Sequence, residues 1–132
     1  MMALLFGLFL ALAVGTFATA IRLDRDRAFY PTVMIVIAAY YFLFAVMGAS
    51  RDALLLELLV GAGFIAAAAI GFRKSLWIVA IALAAHGLLD FFHSALIDNP
   101  GVPAWWPAFC AAYDVTAAGY LGWLLKSGRV SR

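Results

Sequence analysis

At 132 residues, with 67% hydrophobic and only 12% charged side chains and a mean hydropathy of +1.04, the chain is not composed like a soluble domain. Its formal net charge of +2 comes from basic residues scattered over connections and the C-terminal tail, so no basic stripe is available for nucleic acid and no nucleic-acid partner is expected. Cys110 is the only cysteine, which rules out an intrachain disulfide and a cysteine-cluster metal site.

These features define an all-α integral membrane protein, read as a single membrane domain over residues 1–132. The first predicted span covers residues 1–21. It ends in "FATA", an Ala-x-Ala pattern at Ala18 to Ala20 that resembles a signal-peptidase site. No basic n-region precedes it, so the segment is read as an uncleaved helix. Arg22, Arg25 and Arg27 fill the connection to a second span at 31–49, where Pro31 suits a first helical turn.

"GASRD" breaks the chain before a third span at 54–72, which carries Glu57. Its Gly61, Gly63 and "AAAAI" run are small enough to predict close helix packing. Arg73 and Lys74 precede a fourth span at 76–97. "DNPGVP" then forms the clearest turn, and Trp105 and Trp106 follow it at the expected headgroup level. The fifth span is placed at 103–125, with Pro107 near its start. Each segment approaches the roughly 20 residues needed to cross a bilayer core. Short connections predict that sequential helices are antiparallel neighbours.

With five spans, the basic residues of the first and third connections and of the tail, Lys126, Arg129 and Arg132, fall on one side and Arg51 alone on the other. The positive-inside rule then puts the N-terminus outside and the C-terminus in the cytoplasm, in a multi-pass protein of the cell (inner) membrane. Membrane lipids are the expected surroundings, and a homo-oligomer is compatible with the sequence.

Both histidines lie in "HGLLDFFH" of the fourth span. His86, Asp90 and His93 stand at i, i+4 and i+7, which places them on one helical face. Trp106, Cys110 and Asp114 repeat a four-residue spacing on the fifth span, and Glu57 lies in the outer half of the third. An aspartate at the centre of a span costs about 2.5 to 3.5 kcal/mol on insertion scales, and no intramembrane lysine or arginine is present to pair with two of them. Imidazoles and carboxylates at this depth point to a divalent metal, zinc in preference to iron, held by His86, Asp90, His93 and Asp114.

Catalysis follows if one coordination position is left to water, with Asp114 or Glu57 as general base. Tyr40, Phe92, Trp106 and Cys110, with Phe91 and Trp105, are the expected pocket walls, and a lipid-like substrate undergoing hydrolysis or oxidation suits them. Two alternatives use the same residues. One is a proton-coupled transporter or relay component, and the other is a non-catalytic structural subunit whose histidines and aspartates bond across a helix interface.

A retinal Schiff base is excluded because no span contains lysine. Haem held by both histidines is disfavoured, because they lie about 10 Å apart on one helix. The combination of histidines and aspartates from several helices around zinc is similar in logic to intramembrane hydrolases such as the alkaline ceramidases. The likeness is one of chemistry, with no motif alignment and no transfer of residue roles. A reporter fused after Arg132 is expected to read cytoplasmic, and an external signal would reverse the orientation and the placement of the polar cluster toward the outer face.

Overall fold

A computed structural model describes residues 1–130, so Arg132, counted above with the tail's basic residues, lies outside the described residues. Five helices make up the bundle: α1 Met2–Ala20, α2 Phe29–Met47, α3 Arg51–Arg73, α4 Leu76–Leu96 and α5 Trp106–Lys126, with a short 3-10 turn at Leu23–Arg25 and no strand among the described residues. α1 to α4 are each long and apolar enough to cross a membrane. α5 has 21 residues, the length of a span, but carries Asp114, Pro107 and several Trp and Tyr side chains that lower its hydropathy.

The helix ends follow from local chemistry. The Ser50 hydroxyl accepts the Ala53 amide at 3.2 Å and so starts α3 at Arg51, three residues before the apolar run begins. Asp52 is thereby in the first turn, where a negative charge complements the exposed amides. Ser75 caps α4 in the same way through the Trp77 amide. α5 begins at Trp106, later than the sequence pattern suggests, because the chain around Pro103 is still in the turn and Pro107 takes a first-turn position that needs no amide hydrogen. At the opposite end, Arg27 donates to the Gly71 and Phe72 carbonyls at the end of α3.

α5 lies between α1 and α4, while α2 and α3 pair with each other and both pack on α4. The sequential-neighbour expectation fails for the first pair, since α1 docks on α5 and makes no comparable interface with α2. The cause is a stripe of small residues. Gly7, Ala11, Gly15 and Ala18 are the buried residues of α1, spaced about one turn apart. A Cβ on Gly7 would overlap the Phe109 carbonyl oxygen, and one on Gly15 would sit 2.9 Å from Tyr120 Cδ1. The two backbones can approach only because no side chain intervenes.

These pairings make α1 and α5 parallel, with Thr19 and Tyr120 hydroxyls 2.9 Å apart near their shared end. The packing expected of α3 is divided. Gly61 meets the Phe42 ring and Ala68 is fully buried, but Gly63 faces open space. A different glycine ties the far end together: Gly101 of the α4–α5 turn lies against the Phe44 carbonyl of α2, with no room for a Cβ.

Outward-facing side chains are as apolar as those inside. Leu59 is 74% and Phe91 71% exposed, an arrangement suited to lipid and costly in water. The densest core is at the end with the basic connections, where Val79, Leu83, Leu121, Leu124 and Leu125 are fully buried. Gly7→Ala is expected to lower stability by about 1–3 kcal/mol through overpacking against α5, measured by thermal unfolding in detergent. Gly63→Ala, with nothing within 4 Å of the added carbon, serves as the neutral comparison.

Candidate functional site

His86, Asp90 and His93 all face inward from α4, at 2%, 0% and 2% exposure, as their helical spacing requires. His86 is ten residues from either end of α4, or about 15 Å, and therefore at mid-helix. Asp114 of α5, also at 0% exposure, meets it at this level. The His86 Nδ1 to Asp114 Oδ2 distance is 2.7 Å. Asp90 Oδ2 lies 3.3 Å from the same nitrogen, within ion-pair reach but without hydrogen-bond geometry.

Cys110, one turn before Asp114, completes the group. One ligand atom each from His86, Asp90, Cys110 and Asp114 lies within 4.8 Å of all the others, and all four residues are buried. Two carboxylate oxygens of this group, Asp90 Oδ2 and Asp114 Oδ1, are buried with no hydrogen-bond partner. The other Asp90 oxygen accepts the Tyr41 hydroxyl at 2.6 Å. Phe64 closes one side, its ring edge-on to His86 at 4.8 Å.

His93 and Glu57 form a separate group nearer the tryptophan end. His93 Nε2 is 2.8 Å from Glu57 Oε1, and Asn99 Nδ2 donates to that same oxygen at 2.9 Å. Asn99 also donates to the Tyr41 carbonyl and accepts the Gly101 amide, so it is both a turn residue and a buried anchor. Of the four sequence-designated ligands, the structure thus brings together His86, Asp90 and Asp114, with Cys110 in the fourth place and His93 engaged by Glu57. The reason is height: seven residues raise His93 about 10.5 Å above His86, where a different carboxylate meets it.

Tyr41 links the two groups. Its hydroxyl holds Asp90 while its ring stacks on His93, with centroids 4.1 Å apart. The neighbouring Tyr40 turns the other way, with its ring 4.9 Å from Trp106, along the wall of a groove of about 940 Å³ between α1 and α2. Trp105, Trp106 and Cys110 line this groove as well. Phe92 and Phe91, expected as walls, are instead exposed on the outer surface of α4, because their positions flank the inward stripe. Tyr41 is a site residue that the sequence pattern alone does not single out. Its signal is its place in an otherwise apolar run, eleven residues after Tyr30 and on the same buried face.

The chain matches no protein-family model, no curated protein and no solved structure. The site is therefore defined by its chemistry: one imidazole, one thiol and two carboxylates converge in the bundle interior, with no lysine or arginine paired to them among the described residues. Tyr41→Phe would leave Asp90 Oδ1 without its donor and is expected to cost about 1–3 kcal/mol in detergent unfolding. Tyr40→Phe removes a partly exposed hydroxyl with no hydrogen-bond partner among the described residues and should stay within about 0.5 kcal/mol.

Proposed function

We propose that the protein is an intramembrane metalloenzyme that hydrolyses a lipid-like substrate, with a divalent ion, zinc in preference to iron, held by His86, Cys110 and Asp114. The observation that carries this reading is the buried convergence of four ligand-type atoms with two carboxylate oxygens left unpartnered. Two carboxylates in a bundle surrounded by hydrocarbon need positive charge, and one imidazolium offsets only half of theirs. A divalent cation supplies the balance, and a nitrogen, sulfur and oxygen donor set suits zinc.

The hydrogen bonding of the cluster argues for an open coordination position. Asp90 is the group best placed to stay outside, since the Tyr41 hydroxyl already holds one of its oxygens. Three protein ligands with a free fourth position is the pattern of catalytic zinc, which would supply a water acidified to a pKa of about 7. Asp90, with Oδ2 unpartnered and Oδ1 held by the Tyr41 hydroxyl, would be the carboxylate placed to accept a proton there. Glu57, the alternative base, is occupied by His93 and Asn99.

Proton relay is the competing use of the same residues, favoured by the short His86–Asp114 contact. A path across the membrane has less support. Beyond His86, toward the basic end, the core continues as fully buried Leu83, Val79, Leu121 and Leu124.

Elemental analysis of protein purified without chelators is expected to give close to one zinc or iron per chain. His86→Ala and Cys110→Ala should lose it while His93→Ala retains it. Folded protein that binds no metal, or a His93→Ala variant that loses metal as readily as His86→Ala, would overturn the assignment.

A further inference from the structure

α1 and α2 stand apart where consecutive helices would normally close. The small-residue stripe seats α1 on α5, so its other flank turns Phe6, Leu10 and Val14 toward Val33, Val36 and Tyr40 of α2 across the groove of about 940 Å³. Apart from Asp26 and Thr32 at the end near Phe29, the groove runs along the apolar length of both helices between mainly hydrocarbon walls, so water is a poor occupant of most of it.

Its dimensions discriminate between the apolar candidates. Along α2 it extends from Phe29 to Tyr40, about 17 Å at helical rise. A helix about 10–12 Å across would seat only part of its girth in such an open groove, whereas an extended alkyl chain is narrow enough to lie wholly within it.

The groove also has a polar point at a definite height. Cys110 belongs both to its wall and to the His86–Asp90–Asp114 group. Trp106, about 6 Å away along α5, carries a buried indole N–H with no partner, a donor without an acceptor. From the level of Cys110 toward Phe29, the α2 wall offers Ile37, Val36 and Val33 before it reaches the Thr32 hydroxyl.

We infer that the groove between α1 and α2 binds one alkyl chain of an amphiphilic substrate, with the substrate's polar oxygen beside Trp106 and Cys110 and its tail directed toward Phe29. This names the substrate class for the reaction proposed above and rests on that reading for its catalytic meaning, but the binding itself is separately measurable.

The test uses the full chain in phosphatidylcholine nanodiscs with a long-chain fatty alcohol bearing a photoreactive diazirine at mid-chain. Labelling is expected on α1 between Phe6 and Val14 and on α2 between Val33 and Tyr40, competed by excess unlabelled fatty alcohol. Val36→Trp, at a half-exposed position in the groove wall, should reduce the competed labelling about tenfold, as overfilling by roughly 1.4 kcal/mol would. Leu59→Trp, on an exposed face away from the groove, should leave it intact.

Uncompeted labelling spread over the exposed surfaces of Leu59 and Phe91 would overturn the inference, because the groove would then be ordinary lipid boundary. So would full labelling in folded Val36→Trp, or crosslinks to a second copy of the chain in the groove. Metal-free protein that still gives competed groove labelling would support the groove and reject the metal centre. Metal-loaded protein with only diffuse labelling would do the reverse.

Discussion

Burying Asp90 and Asp114 without a neighbouring lysine or arginine is the constraint to which the rest of the bundle responds. Each carboxylate has one oxygen satisfied, by Tyr41 and by His86 respectively, and one left over. Lipid offers neither donors nor counter-ions, so every compensating group has to come from another helix or from a bound ion. α2 supplies Tyr41, α5 supplies Asp114 and Cys110, and α3 presses Phe64 against the imidazole. The polar centre therefore specifies which helices face one another, and an apolar bundle without it would have much less reason to choose one rotation of α4 over the next.

The second polar group works differently. Glu57, His93 and Asn99 form a short closed set in which the acceptor oxygen receives two contacts and the asparagine also ties the α4–α5 turn to α2. It is a fastening at the tryptophan end, close to where Gly101 lies on the Phe44 carbonyl. Tyr41 couples the two groups by using its hydroxyl for one and its ring face for the other. A single side chain thus conveys the position of the turn to the orientation of Asp90.

Much of this was legible in the residues themselves. Apolar segments of near-bilayer length gave the five helices, and the i, i+4, i+7 spacing correctly put His86, Asp90 and His93 on one buried face. Rotation about the helix axis is readable from spacing, but what stands opposite each residue is not. His93 was grouped with His86 because both share that face, although about 10.5 Å of rise gives them different neighbours. Cys110 was visible one turn from Asp114 but expected only as a pocket wall, since a lone thiol gains chemical meaning only from what surrounds it. The α1 stripe of Gly7, Ala11, Gly15 and Ala18 is as plain in the sequence as Gly61 and Gly63 of α3, and composition does not rank one above the other. Small residues announce that something approaches closely without saying which helix it is.

The parallel pairing of α1 with α5 has a consequence for the order in which the molecule takes shape. α1 precedes α2 to α4 in synthesis, while the surface it docks on is made after them, about a hundred residues later, as the Thr19–Tyr120 contact across 101 positions illustrates. Until α5 arrives, the glycine face of α1 has only lipid against it. The α2–α3–α4 unit can gather through neighbouring contacts in the meantime, but the helix that completes the polar centre is also the one that captures α1. α1 and α5 are therefore joined in one closing event, and both the buried polar cluster and the cleft beside it take shape together when α5 docks.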